Sequence, residues 1–433
     1  MTPRITLPAL ACLLFGTMQA SAIELSVNDA VELALKNNTT LINSAKTVQI
    51  FEQKVKQYWA SIYPSIAVGA AYNRNLEIPA FFIGGTSVKT GENNAFSAQA
   101  TLSQVLWSGG KVNAAIRLAQ YMSKQTDEED RLNRINVVRD VKQVYYKVLL
   151  ASATAIIERD NLALAQDHLQ QMKAQYQQGL QSDLTLLRQD VEVSKREPSV
   201  IKARNVSEVG LLSLKTLMGQ DPEYPVTLNG DFDGSMAQPK PLEELYSTAM
   251  ARRPDLRAAR YYYDSAKQQY RLAKADFLPS IYANASRSFS GQSAEGWPSP
   301  DMRNWSSSVG VTLNLNLFAG GATVAQMKQA ELQASQASTS IEELERDIRV
   351  QVKSAWLDLQ EAQERIRSQE GAVNQASQAA RSTLTRFKNG LSSQLELNDA
   401  ENALNDSRLQ YALAQHDACV AHAQLEWATG AID

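Results

Sequence analysis

The stretch WSSSVGVTLNLNL, residues 305–317, decides the fold class of this chain. Its apolar residues recur at every second position, with small polar residues and glycine between them. Successive side chains of a β-strand point to opposite faces, so the pattern predicts a strand with one apolar and one polar face. The apolar face of this predicted strand carries Trp305, Ser307, Val309, Val311, Leu313, Leu315 and Leu317.

Three further segments alternate in the same way. Their apolar positions are Ile281, Ala283, Ala285 and Phe289 in one strand, Ile66, Val68, Ala70 and Tyr72 in another, and Phe96, Ala98, Ala100, Leu102 and Leu106 in the last. Strands of this length cross a bilayer when they are tilted. A half-buried sheet on a soluble core alternates equally well, so a single strand does not separate the two interpretations.

The two pairs of strands belong to two similar halves of the chain. Residues 26–66 align with residues 241–281 at an offset of 215, and from Leu106 onward the offset is 211. Gly109-Gly110 thus matches Gly320-Gly321, and Gly219 matches Gly430. This similarity predicts two internal structural repeats. They span residues 23–219 and 241–430, with a linker in an equatorial region at residues 220–240.

Very long helices are predicted after the strands of each repeat. Gly and Pro are absent from residues 111–178, and only Gly371 interrupts residues 322–389. A continuous helix of that length spans about 100 Å. Apolar residues follow the coiled-coil spacing of four and three. They are Val137, Val141, Val144, Val148, Ala151 and Ala155 in the first repeat, and Ile348, Val352, Ala355, Leu359, Ala362 and Ile366 in the second.

Each repeat therefore has the same predicted order of elements. Short helices lead into a β-hairpin (64–107 or 279–318), a long helix (109–178 or 320–389) and a returning helix (182–218 or 393–429). Pro198 is predicted to kink or interrupt the first returning helix. The fold class is mixed α and β, mostly α, with an antiparallel α-helical coiled coil.

The N-terminus predicts export. Arg4, an apolar run at residues 5–15 and the small-residue site Ala20-Ser21-Ala22 indicate a signal peptide at residues 1–22. A competing interpretation places a lipidation site at Cys12. Beyond the signal peptide, no apolar run approaches the roughly 20 residues of a transmembrane helix. The net charge of −3 argues against a nucleic-acid partner.

Four alternating strands in an exported chain favour a membrane location over a soluble sheet. Four strands cannot close a barrel, and an open edge in lipid leaves backbone groups unpaired. Several copies must therefore share one barrel. Two copies make eight strands, whose interior side chains fill the barrel, whereas three make twelve strands and leave a lumen. If the barrel is a conduit, the sequence therefore predicts a homotrimer with a twelve-stranded transmembrane β-barrel.

The doubled motifs resemble the TolC-like outer-membrane factor family over essentially the whole mature chain. The residues that carry the resemblance are the strand entries at Pro64 and Pro279, the two Gly-Gly turns, and the helical tips at residues 176–180 and 387–391. The resemblance implies a trimer in the bacterial outer membrane with a tunnel into the periplasm. It also implies docking to a periplasmic adaptor (membrane fusion) protein, and through it to an inner-membrane pump. The implied function is the exit duct of a tripartite efflux or type I secretion system.

Three groups of residues are candidate functional sites. The resemblance makes the tips the adaptor contact, formed by Tyr176, Gly179, Leu180, Phe387, Gly390 and Leu391. The strand-to-helix turns are Gly109, Gly110, Gly320 and Gly321. Glu396 and Asp399 lie three residues apart on one helix face and match the acids of the family's entrance, so three copies predict an acidic ring. Alternatively, Ser393 and Glu396 form a capping box, and Asp399 lies on a solvated face.

The sequence contains no pattern typical of a catalytic site, a cofactor site or a metal site. His168, His416 and His422 lack zinc-type spacing and are predicted to be packing or surface residues of helices. A secreted coiled-coil scaffold without a pore is the alternative function. The exported substrate, the identity of the partners and the resting state of the entrance do not follow from the sequence.

Overall fold

The computed structural model describes residues 23–232 and 240–431. The predicted signal peptide with Cys12, and residues 233–239 of the predicted linker, lie outside the described residues. The helices are α1 (Val27–Asn37), α2 (Thr39–Ala60), α3 (Lys111–Gln177), α4 (Asp183–Leu217), α5 (Leu242–Arg252), α6 (Pro254–Ala275), α7 (Ala322–Lys388) and α8 (Gln394–Thr429). The strands are β1 (Ile23–Leu25), β2 (Ser65–Arg74), β3 (Ala80–Ile83), β4 (Thr86–Lys89), β5 (Asn94–Trp107), β6 (Val226–Leu228), β7 (Ser280–Ser293) and β8 (Arg303–Asn314).

The chain divides into two compact units, and each unit takes segments from both halves of the sequence. Of the described residues, the first unit comprises 23–38, 137–232 and 357–424, and the second comprises 39–136, 240–356 and 425–431. The first unit contains α4, the later parts of α3 and α7, and most of α8. The second contains the four long strands together with α2, α5 and α6.

The second unit is built on a four-stranded antiparallel sheet with the order β2-β5-β7-β8. β5 and β7 come from different halves of the sequence, and their pairing joins the two hairpins into one sheet, with Leu102 opposite Ala285. The sheet therefore has two edges, β2 and β8. One face is apolar and open to the surroundings, as at Val309 on β8, which is 88% exposed.

The sheet differs from the sequence prediction at one end of β5. The register shifts between Val105 and Trp107, so Trp107 rather than Leu106 lies opposite Ile281. An extra residue in one strand reverses the alternation beyond it, so Trp107 continues the apolar face there, and the place of Leu106 on that face stays a prediction. β8 also ends at Asn314, before the last two apolar residues of the quoted stretch.

Two small sheets were not predicted. β3 and β4 form a hairpin around Gly84 and Gly85, which both have positive φ angles (60° and 87°). Such a pair between β-forming residues is the usual signal for a tight hairpin, and the sequence contains it. In the first unit, β1 pairs in parallel with β6.

The predicted coiled-coil positions form much of the helical core. Val137, Val141 and Val148 on α3 are buried, as are Ile348 and Val352 on α7. In the part of the chain that the structure describes, no helix combines the length and apolar character that a membrane span needs.

Of the two predicted effects of Pro198, an interruption of the returning helix is wrong, because α4 is helical from Asp183 to Leu217, and a kink stays a prediction. Proline removes one helical hydrogen bond. Contacts on both sides of it hold α4 against α3. Gln189 donates to the Ala165 carbonyl at 3.0 Å, and the hydroxyls of Ser152 and Ser207 lie 2.9 Å apart.

Candidate functional site

The two helical tips have the same backbone geometry. At the first tip, the Gly179 N–H donates to the Tyr176 carbonyl and the Leu180 N–H donates to the Gln175 carbonyl, both at 2.9 Å. Gly179 has a φ of 74°. This arrangement is the Schellman motif, in which a left-handed glycine satisfies the last carbonyls of a helix. Gly390 (φ 70°) and Leu391 repeat both hydrogen bonds at the end of α7.

Both tips present an apolar residue to the surroundings. Leu180 is 69% exposed and Leu391 is 70% exposed. Tyr176 is exposed as well, whereas Phe387 is half-buried. Single exposed apolar side chains are common on protein surfaces, so the adaptor contact at these tips remains a prediction.

Glu396 forms the capping box of α8. The Ser393 N–H donates to Glu396 Oε2 at 3.0 Å, and the Glu396 N–H donates to Ser393 Oγ at 3.2 Å. The Ser392 hydroxyl also donates to Glu396 Oε2, and this hydrogen bond is the main cause that lowers the pKa of Glu396. The alternative interpretation of Glu396 as a capping residue is therefore confirmed, and its exposed side chain is ionised at neutral pH.

Asp399 lies on the same helix, three residues after Glu396, and is exposed. The two carboxylates share one side of the first turns of α8. Whether copies of this pair meet in a ring depends on neighbouring chains, so the ring remains a prediction.

The two strand-to-helix turns also repeat each other. Gly109 and Gly110 have φ angles of 59° and 85°, and Gly320 and Gly321 have φ angles of 60° and 86°. Their surroundings differ, because a methyl group on Gly109 would lie 2.6 Å from the Leu278 Cβ, whereas one on Gly320 would meet no atom within 4 Å. The turns connect the sheet to α3 and α7 and carry no reactive group.

The polar face of the sheet is lined by neutral side chains that bond across strands. Ser286 and Ser308 lie 2.8 Å apart, and Ser288 and Ser306 lie 2.7 Å apart. Asn284 donates to the Thr312 hydroxyl at 3.1 Å. A face of this kind tolerates water without attracting one sign of ion over the other.

A titratable pair lies in the first unit, with a buried His168 and a partly buried Glu401. His168 on α3 is 7% exposed, and its Nε2 lies 3.7 Å from Glu401 Oε1 on α8. Burial lowers the pKa of His168 and raises the pKa of Glu401 to about 7. The sequence predicted His168 to be a packing or surface residue of a helix, and it did not point to Glu401, since the two lie 233 positions apart and no local pattern joins them. Within the described ranges, no group of His, Cys, Asp and Glu is arranged to hold a metal ion.

Comparison with known proteins identifies the family. The model of the family described as "Outer membrane efflux protein" matches residues 30–220 and 245–431. The chain belongs to this family. It is 23% identical over 427 residues to the outer membrane efflux protein BepC of Brucella suis, and the alignment covers 98% of the chain and 90% of BepC. It is 22% identical over 427 residues to the outer membrane protein TolC of Vibrio cholerae, and the alignment covers 98% of the chain and 95% of that TolC.

The fold of this outer membrane efflux protein is that of solved outer membrane channels. The Campylobacter jejuni CmeC outer membrane channel superposes with a TM-score of 0.81 at 16% identity, covering 99% of the chain and 94% of CmeC. The resemblance to TolC-like proteins is thus confirmed. The protein is located in the outer membrane, extends into the periplasm and serves there as an exit duct for transport.

Proposed function

We propose that this outer membrane efflux protein is the trimeric exit duct of a tripartite efflux or type I secretion system. Three chains share one twelve-stranded barrel and continue it as a helical tunnel. The observation that carries the proposal is the sheet order β2-β5-β7-β8, which leaves β2 and β8 as unpaired edge strands. One face of this sheet is apolar and exposed.

The two edges are the reason for several copies. In lipid, the backbone groups of an edge strand have no water to bond with, so a spanning sheet must be closed. Pairing β8 of one chain with β2 of the next closes the sheet after three copies and leaves the neutral polar face toward the lumen. Twelve strands enclose a wider interior than the eight of a filled barrel.

The long helices support the periplasmic part of the proposal. α3 and α7 contain 67 residues each, so a straight helix of either length measures about 100 Å. The two ranges that match the family model correspond to the two similar halves of the sequence, which supports a helical repeat that occurs twice per chain. The six repeats of a trimer make a tube.

The tips support docking to a periplasmic adaptor and, through it, to an inner-membrane pump. Leu180 and Leu391 are exposed on equivalent turns, so a trimer offers six similar contact points. The duct itself performs no catalysis in this proposal, and the energy for transport comes from the pump.

The entrance acids are tested by conductance in a planar bilayer. Glu396→Gln removes the charge but keeps a side chain that still fits the capping box, and Asp399→Asn is its counterpart. We expect each variant to lower the permeability of K⁺ relative to Cl⁻, and the double variant to lower it most. Asp264→Asn, which removes a partly exposed acid of the second unit, should leave selectivity unchanged. Unchanged selectivity in the double variant would exclude the acidic ring.

Adaptor docking is tested by crosslinking. A cysteine at Leu180 or Leu391 should crosslink to a co-expressed adaptor, whereas one at Leu76, which is also highly exposed, should not. The native Cys419 is buried and should not interfere. The absence of crosslinks from both tips would argue against this contact. A purified mature chain that is a monomer in water without detergent would overturn the proposed barrel.

A further inference from the structure

The four strands of the sheet contain three charged residues, and all three are arginines on the apolar face. Arg74 lies at the end of β2, Arg287 lies in the middle of β7, and Arg303 begins β8. The pairing of Arg287 with Ser307 and of Arg303 with Gly291 places both on the face of Val309 and Val311. The polar face carries no charge within these strands.

An arginine in the middle of β7, such as Arg287, is unusual on a face that meets lipid. A charged side chain is costly on the lipid face at the middle of the bilayer and nearly free of cost near its surfaces. The Arg287 guanidinium lies over the ring of Trp305, 5.1 Å from its centre. Trp305 is opposite Phe289, two residues further along β7 toward the end remote from the helices. The long side chain therefore reaches toward the outer surface.

Arg303 is held in a similar way. Its guanidinium lies 5.9 Å from the centre of the Trp297 ring, and its Nε donates to the Pro298 carbonyl at 2.7 Å. Phe289 contacts both tryptophans, with ring centres 5.8 Å from Trp297 and 5.0 Å from Trp305. Trp297 and Trp305 are each 61% exposed. Tryptophans of this kind are typical of the interface between lipid tails and headgroups.

Within the described part of the chain, both guanidinium groups lack an acidic partner. Among the residues that the structure describes, no carboxylate forms an ion pair with Arg287 or Arg303. Arg303 lies opposite Gly291, four residues beyond Arg287 along β7, a distance of about 13 Å along the strand. A guanidinium group matches phosphate oxygens with two parallel hydrogen bonds. The missing counter-charge is therefore best supplied by phosphate at the height of the headgroups.

We propose that Arg287 and Arg303, with Trp305 and Trp297 beneath them, bind the phosphate groups of a phosphorylated lipid in the outer leaflet. This inference rests on the proposed barrel, in which the apolar face meets lipid. The site anchors the outer rim of the duct in its leaflet and takes no part in the conduction path.

The test uses the full-length protein in detergent, with lipid binding measured by native mass spectrometry. The probes are diphosphorylated lipid A, lipid A with both phosphates removed, and inorganic phosphate as a competitor. We expect the wild type to bind the diphosphorylated lipid, and the Arg287→Gln/Arg303→Gln double variant to bind it at least about tenfold more weakly, as for the loss of one charge-assisted hydrogen bond. Lys54→Gln, which removes a cation from the Phe51 ring on α2, should bind like the wild type.

Three results would overturn the proposal. They are equal binding by the wild type and the double variant, equal binding of the dephosphorylated lipid, and displacement of the lipid by an equal concentration of inorganic phosphate. If the double variant does not assemble, Arg287→Lys/Arg303→Lys replaces it, and an affinity equal to that of the wild type would count against bidentate binding. Bilayer conductance is measured on the same samples. Normal conductance without lipid selectivity would refute this site alone, whereas a wild type that does not assemble or conduct would refute the barrel.

Discussion

The pair formed by buried His168 and partly buried Glu401 predicts that the local stability of the helical bundle falls as the pH rises. Burial raises the pKa of Glu401 from 4.5 to about 7. Each pKa unit corresponds to about 1.4 kcal/mol, so ionising this carboxyl in the folded state costs about 3 kcal/mol. The substitution Glu401→Gln keeps the shape of the side chain and removes the ionisable proton.

The sign follows from proton binding. Between pH 4.5 and about 7, folded Glu401 holds a proton that the unfolded chain has released, so stability decreases as the pH rises through this range. His168 acts in the opposite direction, because burial lowers its pKa and the folded state loses stability as the pH falls below 6.5. The neighbouring charges oppose the pKa shift of Glu401, whereas some reinforce and one opposes the pKa shift of His168. Arg196 lowers the pKa of both groups, Lys388 lowers that of His168, and Asp167 raises it.

The assay is hydrogen exchange of the α8 amides around Glu401, corrected for intrinsic exchange rates, at pH 5 and pH 8. At pH 8, Glu401→Gln should slow exchange roughly hundredfold relative to the wild type, the factor that corresponds to about 3 kcal/mol. At pH 5 the two proteins should differ much less. Glu364→Gln, an exposed acid on α7 with 73% of its side chain accessible, is the control and should change exchange at neither pH. Equal protection of wild type and Glu401→Gln at pH 8 would refute the reasoning.

Three further substitutions test the packing. Gly219→Ala should lower the free energy of unfolding by more than about 3 kcal/mol, because the new methyl group would lie 2.2 Å from the Asn37 carbonyl oxygen at a φ of 68°. Gly179→Ala meets no atom within 4 Å and should cost only about 1–2 kcal/mol. Similar urea midpoints for these two variants would contradict this prediction. Arg253 is 3% exposed and makes two hydrogen bonds to Asp255, so Arg253→Met should destabilise the second unit by about 3–5 kcal/mol. A thermal unfolding temperature equal to that of the wild type would show that the pair contributes little.

The features that depend on neighbouring residues could be predicted from the sequence. The alternation around Val309 predicts an exposed apolar strand face, and the coiled-coil spacing around Ile348 predicts a buried seam. The Ser393 and Glu396 capping box is also local, since its partners lie three residues apart. Periodicity and capping operate within one or two turns or a few strand residues, so a linear sequence displays them directly.

Contacts between distant segments required the tertiary structure. The bulge at Leu106 appears only when β5 is paired with β7, and α4 continues through Pro198 because α3 holds it on both sides. The union of two hairpins into one sheet and the meeting of His168 with Glu401 belong to the same class. Pairing and burial depend on which distant surfaces fit together, and this choice is made by the whole chain as it packs, whereas the period of a helix or a strand is set by its own backbone.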